Sequence, residues 1–177
     1  MKHVALLRGI NVGGNNKLPM KALAALFEKA GCTQVQTYIQ SGNVVFVAKP
    51  SLLRTLADDI PALIAKHHRL TVPIVLRGAD ELRAVVARNP FAPGESERTY
   101  VVFLASKPKA AQTAKLAPSA YAPDRFVVDG ANVYLHLPAG AAKTKLGTTL
   151  FDRVFDTVST ARNWRTTCTL ADLASEA

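Results

Sequence analysis

Cysteine, tryptophan, acidic residues and long apolar runs are what this chain has least of. Only two cysteines occur in 177 residues, Cys32 and Cys168, far apart and in no CxxC or metal-like spacing. That argues against a redox pair or a cysteine-held metal and for buried or incidental thiols. No run of 18 apolar residues is present, which removes a membrane-spanning helix. The opening residues lack a charged segment leading into a longer apolar core with a cleavage site, so the expected location is the cytoplasm, away from membranes. Recognisable catalytic motifs are missing as well: there is no GxSxG elbow, no HExxH and no paired-carboxylate pattern. The four histidines, His3, His67, His68 and His136, have no metal-ligand spacing, and His67 with His68 suits an exposed helix end. No metal and no cofactor is expected, and no residue is assigned a catalytic role.

The shortage of acids leaves 22 Lys and Arg against 13 Asp and Glu, a net charge of +9. The excess is uneven. Residues 1–78 hold ten basic residues against three acids (Glu28, Asp58 and Asp59), whereas residues 79–177 hold twelve against ten. A basic face concentrates anions, so the partners to expect are an anionic small molecule or nucleic acid. Solubility alone is the plainer account of any single lysine. Against RNA recognition, the Lys/Arg-Gly-Phe/Tyr-Gly/Ala-Phe block is missing and the first strand has no aromatic to stack a base. Nearly half the residues are apolar and no low-complexity tract interrupts them, which is enough for a sizeable core throughout.

What the chain does have is concentrated in Val4 to Lys17, VALLRGINVGGNNK. The four apolar residues Val4 to Leu7 read as a strand buried on both faces. Gly9, Gly13 and Gly14 can take positive φ, and Asn11, Asn15 and Asn16 tolerate left-handed geometry. Pro19 then opens a helix through Met20, Leu23, Leu26 and Phe27 that Gly31 can end. A strand, a glycine loop and a helix in that order present backbone N–H groups to an anion, with Arg8 and Lys17 adding charge. Gly9 to Gly14 has the GxxxxG spacing of a nucleotide-triphosphate loop, but Asn15 and Asn16 stand where Lys and Ser or Thr are required. No GxGxxG is present, so a dinucleotide site is unsupported. The alternative is that the glycines only let a tight connection cross the sheet edge.

Further along, Val35 to Gln40 and Asn43 to Ala48 are strand-like runs separated by Ser41-Gly42. Ser51 is the expected N-cap of a helix carrying Leu52, Leu56, Ile60 and Ile64, kinked or restarted at Pro61, and Val72 to Leu76 is the next strand. The order βαββαβ to this point is the ferredoxin-like split unit. The second half repeats it more loosely: helix Asp80 to Arg88, strand Thr99 to Ala105, helix Pro108 to Leu116, a hairpin of Arg125 to Val128 with Asn132 to Leu137, helix Gly147 to Asp156, and a short last helix with Thr169 and Asp172 as its capping box. The expected fold is α+β, two ferredoxin-like subdomains with antiparallel sheets, residues 1–78 and residues 79–177, the second with an extra C-terminal helix. Lys143 and Lys145 lie in a loop of small residues that either closes over a ligand or is a solvated turn. Trp164, the only tryptophan, sits beside Arg162 and Arg165, where it either stacks on a planar ligand or anchors a core.

Three stretches carry a resemblance: LLRGINVGGNNKLPM at Leu6 to Met20, TYIQSGNVVF at Thr37 to Phe46, and ARNW at Ala161 to Trp164. By these the chain resembles throughout the widespread bacterial family known as domain of unknown function 1697. The resemblance implies two ferredoxin-like subdomains and no established activity. Carried over residue by residue, the family pattern points to Arg8, Gly9, Asn11, Gly13, Gly14, Gln40, Ser41, Gly42, Asn43, Lys145, Arg162, Asn163 and Trp164. One departure is Cys168-Thr169-Leu170, where the family often has Thr-Lys-Leu. The lost lysine weakens an anion contact by that segment. Together with Asn15 and Lys17 of the first loop, the candidate ligand-binding residues are Arg8, Asn11, Gly13, Gly14, Asn15, Lys17, Ser41, Asn43, Lys145, Arg162, Asn163 and Trp164. Three functions compete: binding of an anionic ligand, catalysis on a small anionic substrate with Arg8 and Lys17 stabilising charge, and a structural or oligomeric role without a ligand.

Overall fold

The computed structural model describes residues 1–176. Its first sheet is built from β1 (Lys2–Leu7), β2 (Thr33–Tyr38), β3 (Asn43–Val47) and β4 (Ile74–Gly78), all pairings antiparallel, in the order β2-β3-β1-β4. Strand β1 is central, and Val4, Ala5, Leu6 and Leu7 are all fully buried. That is why this strand reads as a continuous apolar run instead of an alternation. The helices of this half are α1 (Met20–Lys29), α2 (Pro50–Leu53) and α3 (Leu56–His68). Their inward residues Leu23, Phe27, Leu56, Ile60 and Ile64 pack with Ala5, Leu7, Val44 and Phe46, the Phe27 and Phe46 rings 5.2 Å apart. Each such side chain contributes on the order of 1.5–3 kcal/mol by leaving water.

The second sheet repeats the first. After α4 (Ala79–Ala87), β5 (Thr99–Leu104) is followed by α5 (Ala110–Thr113), β6 (Arg125–Asp129), β7 (Asn132–His136), α6 (Thr148–Phe155), β8 (Ser159–Asn163) and α7 (Trp164–Ser175). The strand order β6-β7-β5-β8, again antiparallel, is the same permutation as in the first sheet. The fold is therefore α+β with two ferredoxin-like subdomains. Val102, Leu104, Val133, Leu135, Phe151 and Phe155 form its core, and the Tyr134 hydroxyl, on the other side of β7, donates to the Val85 carbonyl at 2.9 Å. Burial and the nearby Asp129 push the Tyr134 phenol up to about 12.

By contacts, one compact unit comprises residues 1–83 with the C-terminal residues from Leu170, and the other residues 84–169. The division falls within α4 and again within α7. No helix among the described residues is long and apolar enough to cross a membrane.

Four local expectations are corrected. Ser51 does not cap a helix: Pro50 occupies the first turn of α2, Lys49 is its cap, and Ser51 is inside. The interruption falls at Arg54-Thr55 instead of Pro61, because the Thr55 hydroxyl turns back on the Leu52 carbonyl at 3.4 Å while Pro61 is carried inside α3. The helix expected over Pro108 to Leu116 is reduced to the four residues of α5, where the Thr113 hydroxyl bonds the Ala110 carbonyl at 2.9 Å. Thr169 caps nothing. It lies within α7, its hydroxyl donating to the Arg165 carbonyl at 3.0 Å, and the strand β8 that precedes α7 was not expected at all.

Candidate functional site

The glycine loop is a small hairpin. The Asn15 N–H donates to the Val12 carbonyl at 3.1 Å, the Asn11 N–H to the Asn16 carbonyl at 3.1 Å, and Val12 bridges Asn15 antiparallel. Gly13 (φ 59°) and Gly14 (φ 80°) occupy the two central turn positions, both left-handed, as a two-residue hairpin with the twist of its strands requires. Added Cβ atoms there would meet nothing within 4 Å, so these glycines serve φ and not close packing. Residues 12–17 are all exposed, Val12 at 61%.

Asn11 fixes the base of this hairpin. At φ 54° its side chain accepts from the Leu18 N–H at 2.8 Å and donates to the Leu18 and Gln40 carbonyls, each at 2.8 Å. The Asn16 side chain donates to the Gly9 carbonyl at 2.8 Å. Two asparagines are thus spent on folding the loop, and the groups turned outward are the tip around Gly13, Gly14 and Asn15, with Lys17 beside it. Arg8 stands half-buried at the strand end, its N–H bonded to the Pro73 carbonyl at 3.0 Å.

The bond from Asn11 to Gln40 brings the second motif alongside the first. There the Asn43 side chain, fully buried, donates to the Tyr38 carbonyl at 3.1 Å and contacts the Ser41 hydroxyl at 3.2 Å. The Leu7 N–H donates to the Gly42 carbonyl at 2.8 Å. Gly42 has φ 84°, and a Cβ on it would stand 2.8 Å from Leu7 Cβ and from Ile10 Cδ1. Sequence reasoning placed Gly42 as a turn residue and within the family pattern; its packing role, the closeness to Ile10 and Leu7, is a tertiary signal.

The remaining sequence candidates lie in the second unit. Asn163 caps α7, its Oδ1 accepting the Thr166 N–H at 2.8 Å. Arg162 is buried, donates to the Thr160 hydroxyl at 2.9 Å and to the Ala161 carbonyl at 2.7 Å, and burial lowers its guanidinium to about 10. Trp164 is the first residue of α7 and is half-buried. Lys145 is exposed and lines a hollow of about 170 Å³ with Lys143, Tyr121 and Asp124, whose carboxylate takes the Thr144 hydroxyl. Among the described residues no group of three or more metal-ligating side chains forms. Cys32 is buried, its thiol pushed up to about 11 by desolvation, and both cysteines are free of disulfides.

The family model described as protein of unknown function, DUF1697, matches residues 1–134. Among solved structures, a conserved bacterial protein from Streptococcus pneumoniae is 20% identical and superposes with a TM-score of 0.71, covering 98% of each chain. At that identity the likeness concerns the fold. No curated protein matches.

Proposed function

We propose that this chain, which belongs to the DUF1697 family, binds an anionic, phosphate-bearing ligand at the tip of the Asn11–Lys17 hairpin. The observation that carries the reading is a rigid hairpin whose base is locked by three hydrogen bonds of the Asn11 side chain while its glycine tip and Lys17 stay exposed. A loop already fixed by such bonds loses little conformational freedom on binding. Its setting is the basic stretch of residues 1–78, which draws anions toward it. An open loop suits binding of a phosphate group at a surface better than catalysis, which requires exclusion of water.

The test is thermal unfolding of the wild type, Lys17→Ala and Arg8→Ala with pyrophosphate, nucleotides, phosphosugars and short DNA and RNA oligonucleotides. A ligand at about 100 times its dissociation constant stabilises by roughly 2.7 kcal/mol. The expected result is a melting shift with at least one phosphate-bearing class that shrinks in Lys17→Ala. The oligonucleotide and mononucleotide arms separate nucleic acid from metabolite. Absence of any shift, or equal shifts in wild type and both variants, rejects the site.

A further inference from the structure

Strand β6 is an edge of the second sheet, paired among the described residues with β7 alone. An edge strand turns the N–H and C=O groups of every second residue outward, where another chain can pair with them. Natural edges are commonly blunted by proline or by charges along the strand; here Arg125-Phe126-Val127-Val128-Asp129 has no proline and carries its charges only at its two ends, and Val127 at its centre is 40% exposed. Beside the edge runs a groove of about 490 Å³ lined by Pro90, Phe91, Pro118, Phe126 and Val127. The Arg125 guanidinium lies 5.0 Å from the centre of the Phe91 ring and pairs with Glu95, so the cation at the groove is already engaged. Across the Ala122 to Asp124 rim, shared by both depressions, lies the smaller hollow with Lys143 and Lys145. Both lysines are exposed, and neither ammonium meets a carboxylate at ion-pair distance among the described residues.

We infer that the β6 edge, its apolar groove and the Lys143/Lys145 hollow together form a docking site for an extended acidic peptide segment of a partner protein. The peptide adds a strand to β6 through its backbone, seats an apolar side chain against Phe91 and Val127, and sets its carboxylates toward the two lysines. Strand addition supplies affinity through main-chain bonds and specificity through side-chain pockets. Charge decides between occupants. A second copy of this chain brings the same exposed lysines to a hollow where Lys143 and Lys145 outnumber Asp124, and like charges at an interface cost association. An acidic segment neutralises it. The residues of this site all belong to the second unit and those of the hairpin to the first, and neither proposal depends on the other.

The probe is the fluorescein-labelled octapeptide Glu-Glu-Val-Val-Phe-Val-Glu-Glu, capped at its C-terminus, read by fluorescence anisotropy against the full chain. A counterpart with lysine in place of every glutamate serves as the charge control. The acidic peptide is expected to bind at least tenfold more tightly than the basic one. Lys143→Glu/Lys145→Glu and Val127→Glu are each expected to weaken it at least tenfold while the melting temperature is unchanged. Of two acidic peptides N-methylated at complementary alternate residues, one should lose binding and the other keep it, because only one set of N–H groups faces β6. Binding lost with both or with neither rejects strand pairing. No binding of the acidic peptide, equal binding of both charges, or insensitivity to the lysine reversal overturns the proposal. So does a dimer by light scattering that Val127→Glu dissociates, which would assign the edge to a second copy.

Discussion

A methyl group placed on Gly42 would stand 2.8 Å from two carbon atoms of the core below it, at a φ of 84° that disfavours any L side chain. Neither Leu7 Cβ nor the buried Ile10 side chain has free space to retreat into, since both residues are fully buried. Gly42→Ala is expected to destabilise by about 2–4 kcal/mol, overpacking and left-handed strain combined, measured by urea denaturation. At Gly13, with a left-handed φ but open surroundings, alanine should cost only about 1 kcal/mol. Asn11 is the opposite kind of residue, needed for its side chain. Asn11→Ala removes three hydrogen bonds and leaves an unfavourable φ of 54°, for an expected loss of roughly 2–3 kcal/mol. Its more informative readout is hydrogen exchange, where the Leu18 N–H should lose protection while β1 keeps it. Unchanged exchange at Leu18 would show that the Asn11 clip does not hold the hairpin in solution.

Among the elements, α3 and α7 show local signals yielding to packing. Pro61 lies in the sixth position of α3, where its missing N–H leaves the Ala57 carbonyl without the usual helical donor. The helix continues because Leu56, Ile60 and Ile64 bury one face of it in the first core. Pro61→Ala restores that bond, and a stabilisation of about 1–2 kcal/mol is expected once the stiffer unfolded chain of the proline-containing wild type is allowed for. A lower melting temperature in Pro61→Ala would mean that the ring itself packs better than the bond it displaces. Helix α7 is capped by Asn163, whose side chain accepts the Thr166 N–H. Asn163→Ala should cost about 1 kcal/mol and Asn163→Asp very little, because the carboxylate caps equally well and complements the helix dipole. That pair of variants separates capping from ligand contact: a ligand role for Asn163 predicts that Asp, with its charge, impairs anion binding even where stability is kept.

For the molecule as a whole, its charge pattern makes two conditions informative. Desolvation opposes ionisation of Glu95, but the Ala92 N–H, the Arg125 guanidinium and His136 together outweigh it and hold the carboxyl below its ordinary value. A depressed folded pKa means that the contribution is present above the unfolded value near pH 4.5 and is lost as pH falls through the folded one. Melting temperatures between pH 3 and pH 6 should therefore fall less steeply for Glu95→Gln than for the wild type. Identical slopes would remove Glu95 from the acid sensitivity of this protein. The second condition is salt. The phosphate binding proposed for the first hairpin should weaken as ionic strength rises from about 0.05 to 0.3 M, since exposed charges are screened beyond a Debye length, about 10 Å at 0.1 M.

The residue types of the chain determined the class of fold and most of its elements. A continuous apolar run gave the central strand β1, Ser41-Gly42 and Asp129-Gly130 gave the hairpin turns, and the βαββαβ order followed, because turn chemistry and hydrophobic period act over a few residues. The same local logic failed at β8, where Ser159-Thr160-Ala161-Arg162-Asn163 has no apolar alternation and becomes a strand only by pairing with β5. It also left the glycine loop open between a phosphate cradle and a tight connection. The shape of that loop lay with hydrogen bonds made in the fold: Asn11 reaching Leu18 and Gln40, and Asn16 reaching Gly9, turn a flexible glycine sequence into a fixed hairpin. Which asparagines are consumed by the fold and which polar groups stay exposed depends on partners 7 to 29 residues away, beyond the reach of local turn chemistry, and only the folded chain brings them within bonding distance.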